Sequence, residues 1–162
     1  MELEVCVDSL TSAKAAINGG ADRLELCAGL HCDGLTPSIG FCRKIKEFCS
    51  IPSYAIIRPR PGDFIYDNEE LDVMLYDIDH LKEYADGFVI GCLRESGDIS
   101  VDQTGLVIGG GITELNVQEI LDKTNVRAIH GSFSVSRGQA KCTVVEAVRN
   151  VRNILDKFDR YK

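Results

Sequence analysis

The sequence has no excess of positive charge, no long apolar run and no cysteine spacing of the kind that frames disulfides. Each absence removes a class of function. Lys and Arg number 18 against 25 Asp and Glu, a net charge of −7, whereas a non-specific nucleic-acid binder needs a basic surface. The longest apolar stretch, near 87–93 (GFVIGCL), falls far short of the ~18 residues of a membrane span. The acidic, strand-like opening MELEVCVD is not expected to be a secretory signal. Seven cysteines is an odd number, and they sit inside apolar patterns. That suits a reducing cytoplasm, where most cysteines serve as small buried hydrophobes. Nucleic acid and membrane are therefore not expected partners. No low-complexity linker divides the chain, and 162 residues suffice for one domain with a real core but not for two ordinary ones.

What is present is an alternation of short strand-like and helix-like runs. Strands are expected at 3–8, 23–28, 53–59, 87–93, a stub at 106–108, and 126–133. Between them, 9–20 forms a helix capped by Ser9 or Thr11 and closed by Gly19 and Gly20. A second helix starts at Thr36-Pro37 and runs to about Cys49, with proline at its favoured first position. A third opens at Asp67 or Asn68, with Glu69 and Glu70 set for the helix dipole, and a fourth covers about 113–123. Thr143 and Glu146 suit a capping box for a last helix with apolar Val144, Val148, Val151, Leu155 and Phe158. Such alternation implies parallel strands joined by right-handed crossovers. Leu3, Val5 and Val7 share one face of the first strand, and Glu4, Cys6 and Asp8 the other. An open sheet covered by helices on both sides is apolar on both faces. One apolar face therefore favours a (β/α) barrel, whose second face looks into its interior and whose polar ends lie at the C-terminal mouth.

Three groups of residues carry chemistry. LEVCV over LELCA match position for position, and parallel neighbours ~4.8 Å apart bring Cys6 beside Cys27 on one face, with Glu4 and Glu25 one pleat below. Two such cysteines are either plain core residues beside solvated or paired glutamates, or a soft thiolate pair that selects Cu(I) over hard cations; His31 and Cys32 are either extra ligands or plain residues of the following loop. Arg58 and Arg60 share parity at the end of the third strand, with Asp63 and Tyr66 beyond, a set that either suits a small anionic molecule or ties down the loop. Gly109, Gly110 and Gly111 lead into a helix and His130-Gly131-Ser132 end the last strand, where barrels commonly hold phosphate. His130 is open to three roles: ligand, acid/base, or core histidine.

EVCVDS (4–9), GGADRLELCAGL (19–30), GLTPSIG (34–40), IRPRPGDFIY (57–66), ADGFVIGCL (85–93), GGGIT (109–113) and IHGS (129–132) together resemble the CutC copper homeostasis family. The resemblance implies a TIM-barrel-like fold, a cytoplasmic protein (the nucleus being a second compartment) and copper bound through Cys6 and Cys27. An ordinary barrel needs ~250 residues, so this chain is expected to be one domain over 1–162 with an internal deletion at about 105–106, leaving about six strands in a gapped or open barrel with weak order around 94–108. The FHRAFD and TSG motifs of the missing strands have no counterpart. Ile108 stands where the family has proline, Ser134 where it has arginine, and Pro61 where it prefers glycine. Three functions follow as expectations: Cu(I) binding in copper homeostasis; an enzyme-like pocket for a phosphorylated or carboxylated metabolite, using Glu4, Arg58, Arg60, Asp63 and His130; or an inactive truncated form. A free strand edge at the stub invites self-association.

Overall fold

In the computed structural model, residues 1–91, 107–108, 118, 128–131, 134–137 and 140–159 are described. Among the described residues, four α-helices cover the outer face of a parallel sheet. Its strands are β1 (Glu2–Val7), β2 (Arg23–Leu26), β3 (Ser53–Ile57), β4 (Gly87–Ile90), β5 (Val107–Ile108) and β6 (Ala128–Gly131), in the order β4-β3-β2-β1-β6-β5. The first four keep chain order, and the sixth lies beside the first, as expected. Among the described strands β4 and β5 end the sheet without pairing to each other, so the barrel is incomplete. The stub β5 pairs with β6 over only two positions.

Helices α1 (Leu10–Gly19), α2 (Ile39–Lys46), α3 (Asn68–Leu81) and α4 (Val145–Asp159) form where the sequence supplies caps. The Ser9 hydroxyl accepts from Ser12 N, and Gly20 closes α1 with φ 94°, a conformation suited to glycine. Asp67 and Glu70 make a reciprocal capping box on α3. The second helix begins later than its Thr36-Pro37 signal suggests. Thr36 is tied across to β3, its N–H donating to the Arg58 carbonyl and its hydroxyl accepting from Arg58 N, and Ser38 becomes the cap.

The sheet's two faces divide as the alternation predicts. Leu3, Val5, Val7, Leu24, Leu26, Ala55 and Ile57 are buried on the outer face against Ala13 and Ala16 of α1, Cys42 and Ile45 of α2, Met74 and Leu81 of α3, and Val148, Val151 and Leu155 of α4. Each fully buried Leu or Ile contributes ~1.5–3 kcal/mol. The inner face carries Glu4, Cys6, Glu25 and Cys27, and these too are buried. An antiparallel hairpin, β7 (Ser134–Arg137) with β8 (Ala140–Thr143), follows β6 and was not expected. The junction at 94–106, most of the 113–123 helix and Phe158's surroundings lie outside the described residues.

Candidate metal centre

The inner-face groups meet because of strand register. β1 and β2 are offset by two residues from the motif-on-motif match, so Cys6 lies opposite Glu25 and Glu4 opposite Arg23. On the other side of β1, Glu4 lies opposite His130. His130, Glu4 and Arg23 therefore form one row across three strands, with Cys6 and Glu25 in the next row up. A shift of two preserves parity, so Cys6 and Cys27 still face the same way. They lie on a diagonal rather than side by side.

A single hydrogen-bonded chain runs through these residues. His130 Nδ1 is 2.6 Å from Glu4 Oε1, and the other Glu4 oxygen accepts from Arg23 Nε. His130 Nε2 is 2.8 Å from Cys6 Sγ and 3.4 Å from Glu25 Oε2. The Cys27 sulfur donates to Glu25 Oε2 at 3.5 Å, the same carboxylate oxygen that His130 Nε2 faces. Glu4 is 3% exposed, and a carboxylate so deep requires this pairing to remain charged. Arg23 in turn lies over the Tyr54 ring, 4.8 Å from its centroid.

The titration behaviour follows from these contacts. The hydrogen bond with Cys27, together with burial, pushes the Cys6 thiol well above its usual range, against an opposing hydrogen bond from His130. For Cys27, the Cys6 hydrogen bond favours the thiolate, but burial and Glu25 outweigh it and the pKa rises. Burial disfavours the His130 imidazolium, yet hydrogen bonds to Cys6 and Glu4 and the charge of Glu25 prevail, so its pKa is raised. Burial likewise works against Glu4 ionisation, and His130 and Arg23 reverse it, leaving the Glu4 pKa lowered.

One ligand atom each from Cys6, Glu25 and His130 lies within 4.8 Å of the others. The Cys27 sulfur is not one of this group but touches its Glu25 carboxylate at 3.5 Å; counting it, the face offers two sulfurs, an imidazole nitrogen and a carboxylate oxygen. That chemistry fits a soft or borderline metal ion. Glu25 is placed on the cysteines' face by the sequence but given no role there, and Arg23 is not named in the site at all, although its parity with Cys27 in RLELC puts it on the same face. Cys32 donates instead to the Gly29 carbonyl of its own turn at 3.0 Å, and neither it nor His31 joins the donor group found among the described residues.

Arg58 and Arg60 occupy a different place. Arg58 is 5% exposed and donates to the carbonyls of Cys32, Gly34 and Gly62, with its guanidinium over the Phe64 ring. Arg60 holds Glu70, Asp63 and the Ile65 carbonyl. None of these bonds goes to Glu4 or His130; they fasten the loops after β2 and β3. Gly109, Gly110, Gly111 and Ser132, the candidate anion site, lie outside the described residues.

The sequence model of the CutC family matches residues 1–108. The chain belongs to the CutC family. The copper homeostasis protein cutC homolog of Drosophila melanogaster is 51% identical over 116 residues, which is 69% of this chain and 44% of that protein. The chain spans less than half the length of the curated CutC relatives it matches. Among solved structures, CutC of Streptococcus agalactiae superposes with a TM-score of 0.73 at 21% identity, covering 82% of this chain and 98% of that one. Phosphoribosylanthranilate isomerase of Thermotoga maritima reaches 0.63 at 13% identity, covering 97% and 99%. These likenesses show the TIM-barrel-like fold of CutC, and every residue of the candidate centre but His130 falls within the matched 1–108.

Proposed function

We propose that this CutC chain binds copper, as Cu(I), through Cys6 and Cys27 on the first two strands, and serves intracellular copper homeostasis in the cytoplasm. The carrying observation is the donor group of Cys6, Glu25 and His130 on the inner face of the sheet, with the buried Cys27 sulfur on the same face at the Glu25 carboxylate. Thiolate pairs suit Cu(I), whereas carboxylates and water suit hard cations. Copper is the ion bound, and the residues' part is to give up two protons and enclose it. The relatives named for copper homeostasis lend support. A single domain over 1–162, lacking the middle of the barrel from about 105–106, accounts for the open order between β4 and β5 and for the end of the family match at 108.

The test is a Cu(I) titration against a competing chelator, on wild type, Cys6→Ala and Cys27→Ala. Each variant is expected to lose more than about 100-fold in affinity, since partners one shell further out already carry about 10–100-fold. Variants that bind like wild type would sink the two-cysteine site. An enzyme-like reading draws on one observation: Cys6, His130 and Glu4 stand in the order of a nucleophile, its base and an orienting carboxylate. Both readings need the Cys6 thiolate, whose pKa is raised here; a binding ion displaces that proton itself, whereas a free nucleophile needs the lowered pKa that Cys6 lacks.

A further inference from the structure

We propose that His130 is a third ligand of this centre, through Nε2, and that Glu4 is the residue that positions it; the proposal rests on the copper reading above. Nothing in the two-cysteine site requires a histidine from a strand 124 residues further along the chain. Yet the sheet puts His130 directly opposite Glu4 in the β1–β6 register, and its Nε2 stands 2.8 Å from Cys6 Sγ and 3.4 Å from Glu25 Oε2. A core histidine is satisfied when its two nitrogens meet fixed partners such as backbone groups. Here Nε2 faces a thiol and a carboxylate, both metal-ligating atom types.

Nδ1 is spoken for. It bonds Glu4 Oε1 at 2.6 Å, while Arg23 takes the second Glu4 oxygen and packs over Tyr54. A ligating histidine ordinarily donates its other ring N–H to a carboxylate, which fixes the tautomer and the ring's orientation. The row Arg23–Glu4–His130, drawn from β2, β1 and β6, supplies that device already assembled. It leaves Nε2 as the nitrogen that gives up its proton and exchanges its contact with the Cys6 thiol for a bond to the ion. A metal held this way joins β1 and β2 to β6, so binding ties the far part of the chain to the first two strands.

X-ray absorption at the copper edge, on the full chain loaded with one equivalent of Cu(I), reads the ligands directly. Wild type is expected to show imidazole outer-shell scattering beside its sulfur shell, and His130→Ala to lose the imidazole and keep the sulfur. Glu4→Gln should keep the imidazole signal while its Cu(I) affinity falls by about 10-fold, the lower end of what outer partners of a ligand carry. If His130→Ala does not fold, His130→Gln makes the same comparison. Sulfur scattering without imidazole in wild type, or unchanged affinity in the His130 variants, overturns the third ligand while leaving the cysteine pair in place. Unchanged affinity in Glu4→Gln overturns the positioning role. Loss of the copper reading itself has a different signature: Cys6→Ala and Cys27→Ala bind as wild type does.

Discussion

Glu4 is a buried carboxylate with a cation at each oxygen, His130 at one and Arg23 at the other. Its pKa is held below the ordinary 4.5, so the unfolded chain takes up this proton before the folded one does. The stability it contributes is fully present above about pH 4.5 and is lost as the pH falls through the lower folded value. Urea midpoints followed from about pH 6 to about pH 3 should therefore drop more steeply for wild type than for Glu4→Gln; equal slopes would mean Glu4 is not held by its two cations. At this scale the sequence was informative about face and silent about neighbours. Alternation put Glu4, Cys6, Glu25 and Cys27 on one face of their strands. The pairing of Cys6 with Glu25, rather than with Cys27, depends on how the α1 crossover seats β2 against β1, and matching motifs carry no information about that. His130 was visible as a candidate, but its role needed β6 beside β1.

Among the elements, the contact between α1 and α4 shows what sequence pattern can and cannot supply. A Cβ added at Gly19 would stand 2.6 Å from Val148 Cβ and 3.0 Å from the Val145 carbonyl. Arg152 bridges the same region to Asp22 at 2.6 Å. In an exposed helix Gly→Ala would stabilise by up to ~1 kcal/mol. Here overpacking should prevail, and Gly19→Ala is expected to cost about 1–3 kcal/mol, seen as a lower thermal midpoint. A midpoint raised by the substitution would show that α4 does not press on α1. Caps were legible because they are local: Ser9, Gly20 and the Asp67–Glu70 box all act within one turn. The β7–β8 hairpin was not, since SVSR and AKCT lack apolar alternation and pair only with each other among the described residues. Gly138 between them was the available turn signal.

For the molecule as a whole, parallel order and barrel curvature were legible from the βα alternation and one-sided apolarity, and the shortened sheet from chain length. The described sheet ends at β4 and β5, and Ile90 at the end of β4 is 42% exposed. Unpaired edges with apolar residues favour association, so sedimentation velocity should show reversible, concentration-dependent self-association that Ile90→Lys weakens. A concentration-independent monomer would contradict this. The central claim concerns the cysteines, and a double-mutant cycle on Cu(I) affinity reaches it most directly. If Cys6 and Cys27 hold one ion together, Cys6→Ala and Cys27→Ala should each lose nearly as much affinity as the double variant, with a large coupling between them. Losses that simply add, or a single variant that binds as wild type does, would contradict a shared site.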